Sequence, residues 1–311
     1  MTCAVAVALY NGERFLEKQL DSIRLQSYPP DQVVLCDDGS SDGTVDLVSR
    51  YIEQHDLSDR WTLHQNETNL GYIKNFYKAI SLCQTDLIFL SDQDDIWKLD
   101  KLEKMSAVMD KHAHMDLLSC RYGIIDANDQ ELHSMVDPTA EEDEAVYPIT
   151  PEDIMRAYRW PGMVMCLRRD FFLSLATPVA QCRAAHDLMF AVCAADRNRF
   201  YEYHYIGAYH RRHDNNTAKE EHRIRKLLNR NKKLSDLNTA IRTWNDLIEG
   251  ALPIRPENLA LIRHRLDLMI RRREALENRK LGMLLRLYGK NRNLLRMPSL
   301  LCDLWLICFA R

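Results

Sequence analysis

The sequence predicts an α/β fold with a mainly parallel central sheet, followed by a C-terminal α-helical region. Three observations predict it. Apolar runs of strand length alternate four times with helically spaced segments over residues 3–91. Turn signals separate them. From Lys219 onward the texture changes to helical patterns rich in Leu, Lys and Arg.

Residues 3–9 read as a buried strand that ends in the turn Tyr10-Asn11-Gly12. Glu13 to Gln26 carries apolar residues at Phe15, Leu16, Leu20 and Ile23, a helical spacing, and Pro29-Pro30 ends it. A second strand, 32–36, leads into Asp37-Asp38-Gly39-Ser40-Ser41-Asp42-Gly43-Thr44, where Asp42 is placed to cap a helix running to Gln54. Trp61 to Gln65 is a third strand. Asn69-Leu70-Gly71 opens a helix that runs through Cys83, and 86–91 is the fourth strand. Further strands are expected at 116–125, 163–167 and 200–209, with helices starting at Phe171 and at His186-Asp187. Pro138 to Glu144 reads as an acidic loop, and Trp160-Pro161-Gly162 as a turn. Beyond Lys219 the helical pattern breaks around Pro253 and Pro256. The expected organisation is a domain over 1–217 and a basic, helical region over 218–311.

The chain is centred on Ser91-Asp92-Gln93-Asp94-Asp95-Ile96-Trp97. Three carboxylates stand where a buried strand empties into a loop. In extended chain Asp92 and Asp94 point to one side and Asp95 to the other. Two carboxylates converging on one side repel unless something positive lies between them. A hard divalent cation with oxygen ligands, its shell completed by phosphate, meets that need. Ligands in parallel sheets sit beyond the C-terminal strand ends. Tyr10-Asn11, Asp37-Asp38 and Asp92-Asp94 all fall at such ends, on separate strands, and should meet along one edge. The glycine-rich fingerprints of dinucleotide and triphosphate sites are absent from the sequence. A nucleotide here must be handled by side chains and a metal.

Of 311 residues, 46% are hydrophobic and 28% charged, ordinary for a soluble globular protein. The net charge of -3 hides an asymmetry: Lys219 to Arg311 holds 21 basic against 10 acidic residues, and the remainder 21 against 35. Residues 281–311 mix Leu, Met, Trp and Phe with Arg286, Lys290, Arg292 and Arg296, the composition of a helix lying on an anionic membrane surface. The tail's basic residues alternate with Leu rather than with stacking aromatics, which argues against nucleic acid. The 9 cysteines show no Cys-x-x-Cys spacing and read as reduced core thiols of a cytoplasmic protein. Cys3 to Leu9 already reads as a strand, so no signal peptide is expected, and the apolar run at 304–310 is too short to span a bilayer.

The ordered set Ala8-Leu9-Tyr10-Asn11-Gly12, Asp37-Asp38-Gly39-Ser40, Asn69-Leu70-Gly71, Ser91-Asp92-Gln93-Asp94-Asp95-Ile96-Trp97, Gly162, His186-Asp187 and Tyr209-His210-Arg211-Arg212-His213-Asp214-Asn215-Asn216 resembles the family 2 glycosyltransferases, which have the GT-A fold. The Asp-Gln-Asp-Asp-Ile-Trp form and the late His/Asn-rich pattern are most similar to bacterial rhamnosyltransferase-type members. The resemblance covers about residues 1–217. It implies an inverting, metal-dependent transfer of a sugar from a nucleotide-diphosphate donor to a saccharide acceptor, in bacterial surface polysaccharide synthesis. It implies nucleotide binding by Tyr10, Asn11, Asp37, Asp38, Asn69, Gly71, Lys74, Asp92 and Gln93. Mg²⁺ or Mn²⁺ would be held by Asp94 and Asp92, with His213 reaching the metal or diphosphate. Asp187 would be the general base, with His186 where many relatives carry Glu. Trp97, Trp160, Gly162 and His186 would lie toward the acceptor. The enzyme would work in the cytoplasm, at the inner membrane face. A nucleotidyltransferase and a non-enzymatic membrane adaptor are the competing classes. The first needs a basic triphosphate loop near residue 10, which the sequence lacks; the second leaves an intact set of acids unexplained.

Overall fold

A computed structural model describes residues 1–132, 143–181, 183–213, 229–250, 252–295 and 297–309. The expected acidic loop at 138–144 lies outside the described residues up to position 142, as do Asp214, Asn215, Asn216 and Arg296. Strands β1 (Cys3–Leu9), β2 (Gln32–Asp37), β3 (Trp61–Gln65) and β4 (Leu87–Ser91) are all parallel, in the spatial order β3-β2-β1-β4. Helices α1 (Glu13–Arg24), α2 (Thr44–Gln54) and α3 (Tyr72–Leu82) make the crossovers. All seven elements follow the sequence expectation closely.

Next come β5 (Ile96–Trp97), α4 (Lys101–Lys111), β6 (Leu117–Ile125), β7 (Val146–Pro148), α5 (Pro151–Arg156), a 3₁₀ turn at Gly162–Val164, β8 (Met165–Arg168), α6 (Arg169–Gln181), α7 (His186–Asp196) and β9 (Phe200–Arg211). They extend the sheet to β3-β2-β1-β4-β8-β6-β9-β5, with β7 on the flank of β9. β8 runs antiparallel between β4 and β6, whereas β6 and β9 are parallel along their length. The sheet is therefore mostly parallel. The two- and three-residue strands β5 and β7 were not expected, because a period of two needs more residues to show itself.

Strand alternation divides the core between two faces. Cys3, Val5, Val7 and Leu9 pack with Leu16, Leu20 and Ile23 of α1, Val48 and Tyr51 of α2, and Met105 and Met109 of α4. Ala4 and Ala6, with Val34, Ile88 and Leu90, face Phe76, Ala79 and Ile80 of α3 and the buried helix α7. Every residue from Leu188 to Ala195 is buried, as expected for a helix apolar on all sides. Six described cysteines, Cys36, Cys83, Cys166 and Cys193 among them, are free and buried.

The C-terminal helices are α8 (Arg230–Glu249), α9 (Pro256–Glu277), α10 (Leu281–Lys290) and α11 (Met297–Cys308). Trp244, Leu247, Ile262, Leu276, Leu284 and Leu306 join the same apolar cluster as the α3/α7 face of the sheet. Asp196, at the end of α7, accepts from the Arg255 backbone N–H at 3.0 Å and from Asn258 Nδ2 at 2.8 Å. Inside the helical layer, Asp303 is fully buried and receives Arg272 in a two-pronged pair, at 2.5 and 2.9 Å, and Tyr288 Oη at 2.9 Å. Removing one partner of a buried pair strands the other charge. Asp303→Ala is expected to lower unfolding free energy by about 3–5 kcal/mol, read as a drop in the urea midpoint. A loss under about 1 kcal/mol would show that Arg272 is solvated in the native protein.

Candidate active site

Three loops leave the C-terminal ends of β1, β2 and β4 and are tied to one another. Gln93 holds the first of them: its Oε1 accepts from the Tyr10 backbone N–H at 2.8 Å and its Nε2 donates to the Tyr10 carbonyl at 2.9 Å. Asn11, in the left-handed region at φ 49°, accepts from the Ser41 N–H at 2.8 Å, and its own N–H donates to Ser40 Oγ at 2.9 Å. The expected meeting of separate strand ends along one edge is therefore present in the backbone itself.

Asp37 and Asp38 are both buried, and both serve the loops. Asp37 accepts from the N–H groups of Gly39 and Ser40 and from the Ser40 hydroxyl. Asp38 accepts from Asn66 Nδ2, from the Leu70 N–H at 2.7 Å and from the Gly71 N–H at 2.8 Å. These bonds fix the segment that opens α3. Gly71 there sits at φ 80° and ψ 152°, a conformation that essentially only glycine adopts. Asn69 bridges the same turn by donating to the Asp38 carbonyl at 3.0 Å. Lys74 is exposed one turn into α3. The expectation of a direct nucleotide contact by Asp37 or Asp38 is thus qualified. Their carboxylates are committed to shaping the loop, and Tyr10, Leu70 and Tyr72 present the exposed surface around it.

The acidic segment after β4 meets the end of β9. Asp94 Oδ2 lies 2.8 Å from His213 Nε2, and Asp95 Oδ1 lies 3.0 Å from His210 Nδ1. Asp94 and Asp95 thus reach different imidazoles, and the chain bends at Gln93 and Asp94 rather than running on as the extended segment the sequence suggested. Burial, then the charges of Asp95 and Asp94, pushes the Asp92 carboxyl well above the usual carboxylate range. Burial and Asp95 raise Asp94 as well, against the opposing pull of His213. Burial would lower His210, but its hydrogen bond to Asp95 and the surrounding acids outweigh this and push it up to about 8. The buried Oδ2 of Asp95 has no hydrogen-bond partner.

This is a donor set short of positive charge, and a hard cation fits it. Among the described residues no three His, Cys, Asp or Glu side chains converge as a ready-made metal cage. Of the expected ligands, Asp94 and His213 lie side by side, 2.8 Å apart, and Asp92 belongs to the same charged cluster. A cation held by one or two carboxylates, with phosphate and water completing its shell, needs no such cage.

Arg211 is the residue the sequence did not resolve, since a basic pair before a histidine reads equally as a solvated face or a phosphate contact. It is fully buried. Its Nε donates to the Asp94 carbonyl at 2.8 Å, its backbone N–H to Asp95 Oδ1 at 3.0 Å, and its guanidinium to the Asp126 carbonyl and to Asp129. It therefore holds the acidic loop in place from below. Arg211→Met is expected to reduce turnover about 10²-fold with a lower melting temperature. Equal turnover in a folded variant would show that the loop keeps its shape unaided.

Asp187 is half-buried in the first turn of α7, where Oδ1 accepts from the Leu188 N–H at 2.8 Å. It belongs to the same electrostatic neighbourhood as Asp92, and its charge, after burial, helps to raise the phenols of Tyr72 and Tyr158. Its neighbour His186 is buried and stacked on Phe76 at 4.2 Å, with neither ring nitrogen hydrogen-bonded. Gly162 faces it so closely that a Cβ there would stand 2.8 Å from His186 Nε2. The two tryptophans assigned to the acceptor are corrected. Trp97 is 2% exposed, packed near Phe89 with Lys101 Nζ 3.5 Å from its ring centre. Trp160 is equally buried, donates to Glu202 at 2.9 Å and packs on Phe200. Neither ring face is open to a sugar.

A mostly parallel sheet between helical layers, with an acid-rich loop at its C-terminal edge and a second acid opening a nearby helix, defines the GT-A class. Residues 4–170 match the profile of Glycosyl transferase family 2, and the chain belongs to that family. Bacillus subtilis EpsE, assigned as a glycosyltransferase, is 36% identical over 115 residues, 37% of this chain and 41% of its own length. The chain spans about two fifths of the length of the first curated relatives it matches. The crystal structure of Staphylococcus aureus TarS 1–349 in complex with UDP superposes with a TM-score of 0.57 at 20% identity, covering 89% of this chain and 92% of that one. The mannosyltransferase PcManGT from Pyrobaculum calidifontis, in complex with GDP-Man and Mn²⁺, superposes with a TM-score of 0.56 at 18% identity, covering 98% and 84%. At these identities the likeness is one of fold.

Proposed function

We propose that this protein is an inverting, metal-dependent glycosyltransferase that moves a sugar from a nucleotide-diphosphate donor to a saccharide acceptor in bacterial surface polysaccharide synthesis. The observation that carries the reading is the gathering of Asp92, Asp94, Asp95, His210 and His213 at the C-terminal edge of the sheet, within the electrostatic reach of Asp187, in a family 2 chain. Names among the relatives agree: TuaG is assigned to teichuronic acid biosynthesis, and TarS is a poly(ribitol-phosphate) β-N-acetylglucosaminyltransferase.

Asp94, helped by Asp92, would hold Mg²⁺ or Mn²⁺. The cation supplies charge neutralisation to the departing nucleoside diphosphate. Tyr10, Asn11, Asn69, Lys74 and Gln93 lie on or beside the loops that would receive the nucleotide, and Gln93 fixes the Tyr10 backbone there. The Asp187 carboxylate accepts the proton of the acceptor hydroxyl as that oxygen attacks the anomeric carbon. Attack from the side opposite the leaving diphosphate is a single displacement, so the anomeric configuration inverts. Residues 1–217 act as the catalytic domain. The described helices between Arg230 and Cys308 pack on one face of it, and the basic region 218–311 would hold the enzyme to the anionic inner membrane surface. Rhamnose is the donor sugar favoured by the Asp-Gln-Asp-Asp-Ile-Trp form.

A panel of UDP-, GDP- and dTDP-sugars with Mn²⁺, dTDP-rhamnose included, tests the reading. One donor should raise the melting temperature by mass action and release its nucleoside diphosphate when a saccharide acceptor is added. Pyrophosphate release from a nucleoside triphosphate would instead make the protein a nucleotidyltransferase. Binding of no donor at all would return it to an adaptor role.

A further inference from the structure

We propose that the outer face of α11 is the membrane-contacting surface of this protein, lying flat on an anionic bilayer with the basic residues of α10 against the lipid headgroups. This inference rests on the membrane attachment just proposed, but not on sugar transfer. Met297, Leu301, Trp305 and Phe309 recur every fourth residue from the first residue of α11 to the residue just past its end, and so share one face. They are 58%, 64%, 37% and 71% exposed. The opposite face is spoken for: Asp303, Leu306 and Ile307 are buried. The buried pairing of Asp303 with Arg272 and Tyr288 fixes the rotation of the helix, so the apolar stripe cannot turn inward.

The neighbouring helix continues the pattern. Leu281 and Leu285 of α10 are exposed, and so are Arg286, Lys290 and, just beyond it, Arg292. An exposed apolar stripe with a tryptophan, on a helix packed against one that exposes arginine and lysine, is complementary to the acyl and anionic headgroup regions of a lipid surface. No described helix is long and apolar enough to cross a membrane, and twelve residues of α11 reach only about 18 Å. Contact therefore means lying on the surface. The charge asymmetry of the chain orients it: the basic C-terminal region is drawn to anionic lipid, and the acidic remainder is repelled. A second copy docked on the same stripe would bring two basic C-terminal regions together, whereas an anionic lipid surface complements their charge, which favours lipid as the occupant.

The test is co-sedimentation of the full chain with vesicles of phosphatidylcholine alone or with about one third phosphatidylglycerol. Wild type is expected to sediment with the anionic vesicles, about tenfold less with neutral ones, and less again as salt rises. L301S/W305S and R286E/K290E should each lose about tenfold of the binding while keeping the wild-type melting temperature. The two variants alter different helices, so misfolding of one leaves the other decisive. Equal sedimentation of a folded variant and wild type overturns the proposal. So does a wild-type dimer by light scattering that L301S/W305S converts to monomer. Donor-sugar turnover without vesicles reads the transferase assignment separately. Vesicle binding without turnover leaves this surface standing and removes the transferase; turnover without vesicle binding does the reverse.

Discussion

Asp187→Asn is expected to lower transfer turnover by about 10²–10⁴-fold while leaving donor binding within about twofold of wild type. The substitution keeps the size of the side chain and its carbonyl-type oxygen. The hydrogen bond from the Leu188 N–H, and with it the start of α7, should survive. What disappears is the proposed proton acceptor. The loss should therefore fall on kcat and leave KM for the donor nearly unchanged. Turnover near that of wild type would remove Asp187 from the chemistry and leave it as a helix-opening residue only.

Asp94→Ala is expected to abolish both metal-stimulated donor binding and turnover, the latter by at least about 10³-fold. In the protein as it stands, Asp94 pairs with His213, and its carboxyl is raised by burial and by Asp95. Removing it takes one partner from His213 and removes the carboxylate proposed to face a diphosphate-bound cation. Chelation of the wild-type protein should reproduce the loss, and Mn²⁺ should restore wild type but not the variant. Donor binding that is indifferent to both chelator and substitution would sink the cation assignment.

The parallel half of the fold was legible because three of its four strands, β1, β2 and β4, are buried on both faces. Continuous apolar runs such as Val33-Val34-Leu35 announce themselves, and their turns carry glycine, asparagine or proline. β5 and β7 were not, since two or three residues pair with β9 only once that strand exists. At the site, Asp37, Asp38, Asp92 and Asp94 were legible because they stand at strand ends, whereas Asp187 opens a helix. The division of labour among them was not. Nothing local to Asp38 says that its oxygens go to Leu70 and Gly71, some thirty residues away. Trp97 and Trp160 misled for a related reason. A tryptophan near such a motif looks like a sugar platform until residues distant in the chain close over it, Ser22 beside Trp97 and Glu202 and Phe200 beside Trp160. Arg211 is the converse case, a charge whose partners are mostly backbone carbonyls that no pattern of residue types encodes.

The apolar cluster that runs from Ala4 and Ile88 through α7 into Trp244, Leu276 and Leu306 has a consequence for how such chains can diversify. The helical segment is a lid on the sheet's own interior, not an attachment on a tether. Exchanging it for the corresponding segment of another family member would leave the buried Ile154 and Met155 of α5, the helix that α9 packs on, facing a stranger's contours. New C-terminal regions can therefore be acquired only in step with the surface beneath them, and chimaeras joined near residue 229 should succeed only between parents that match at both.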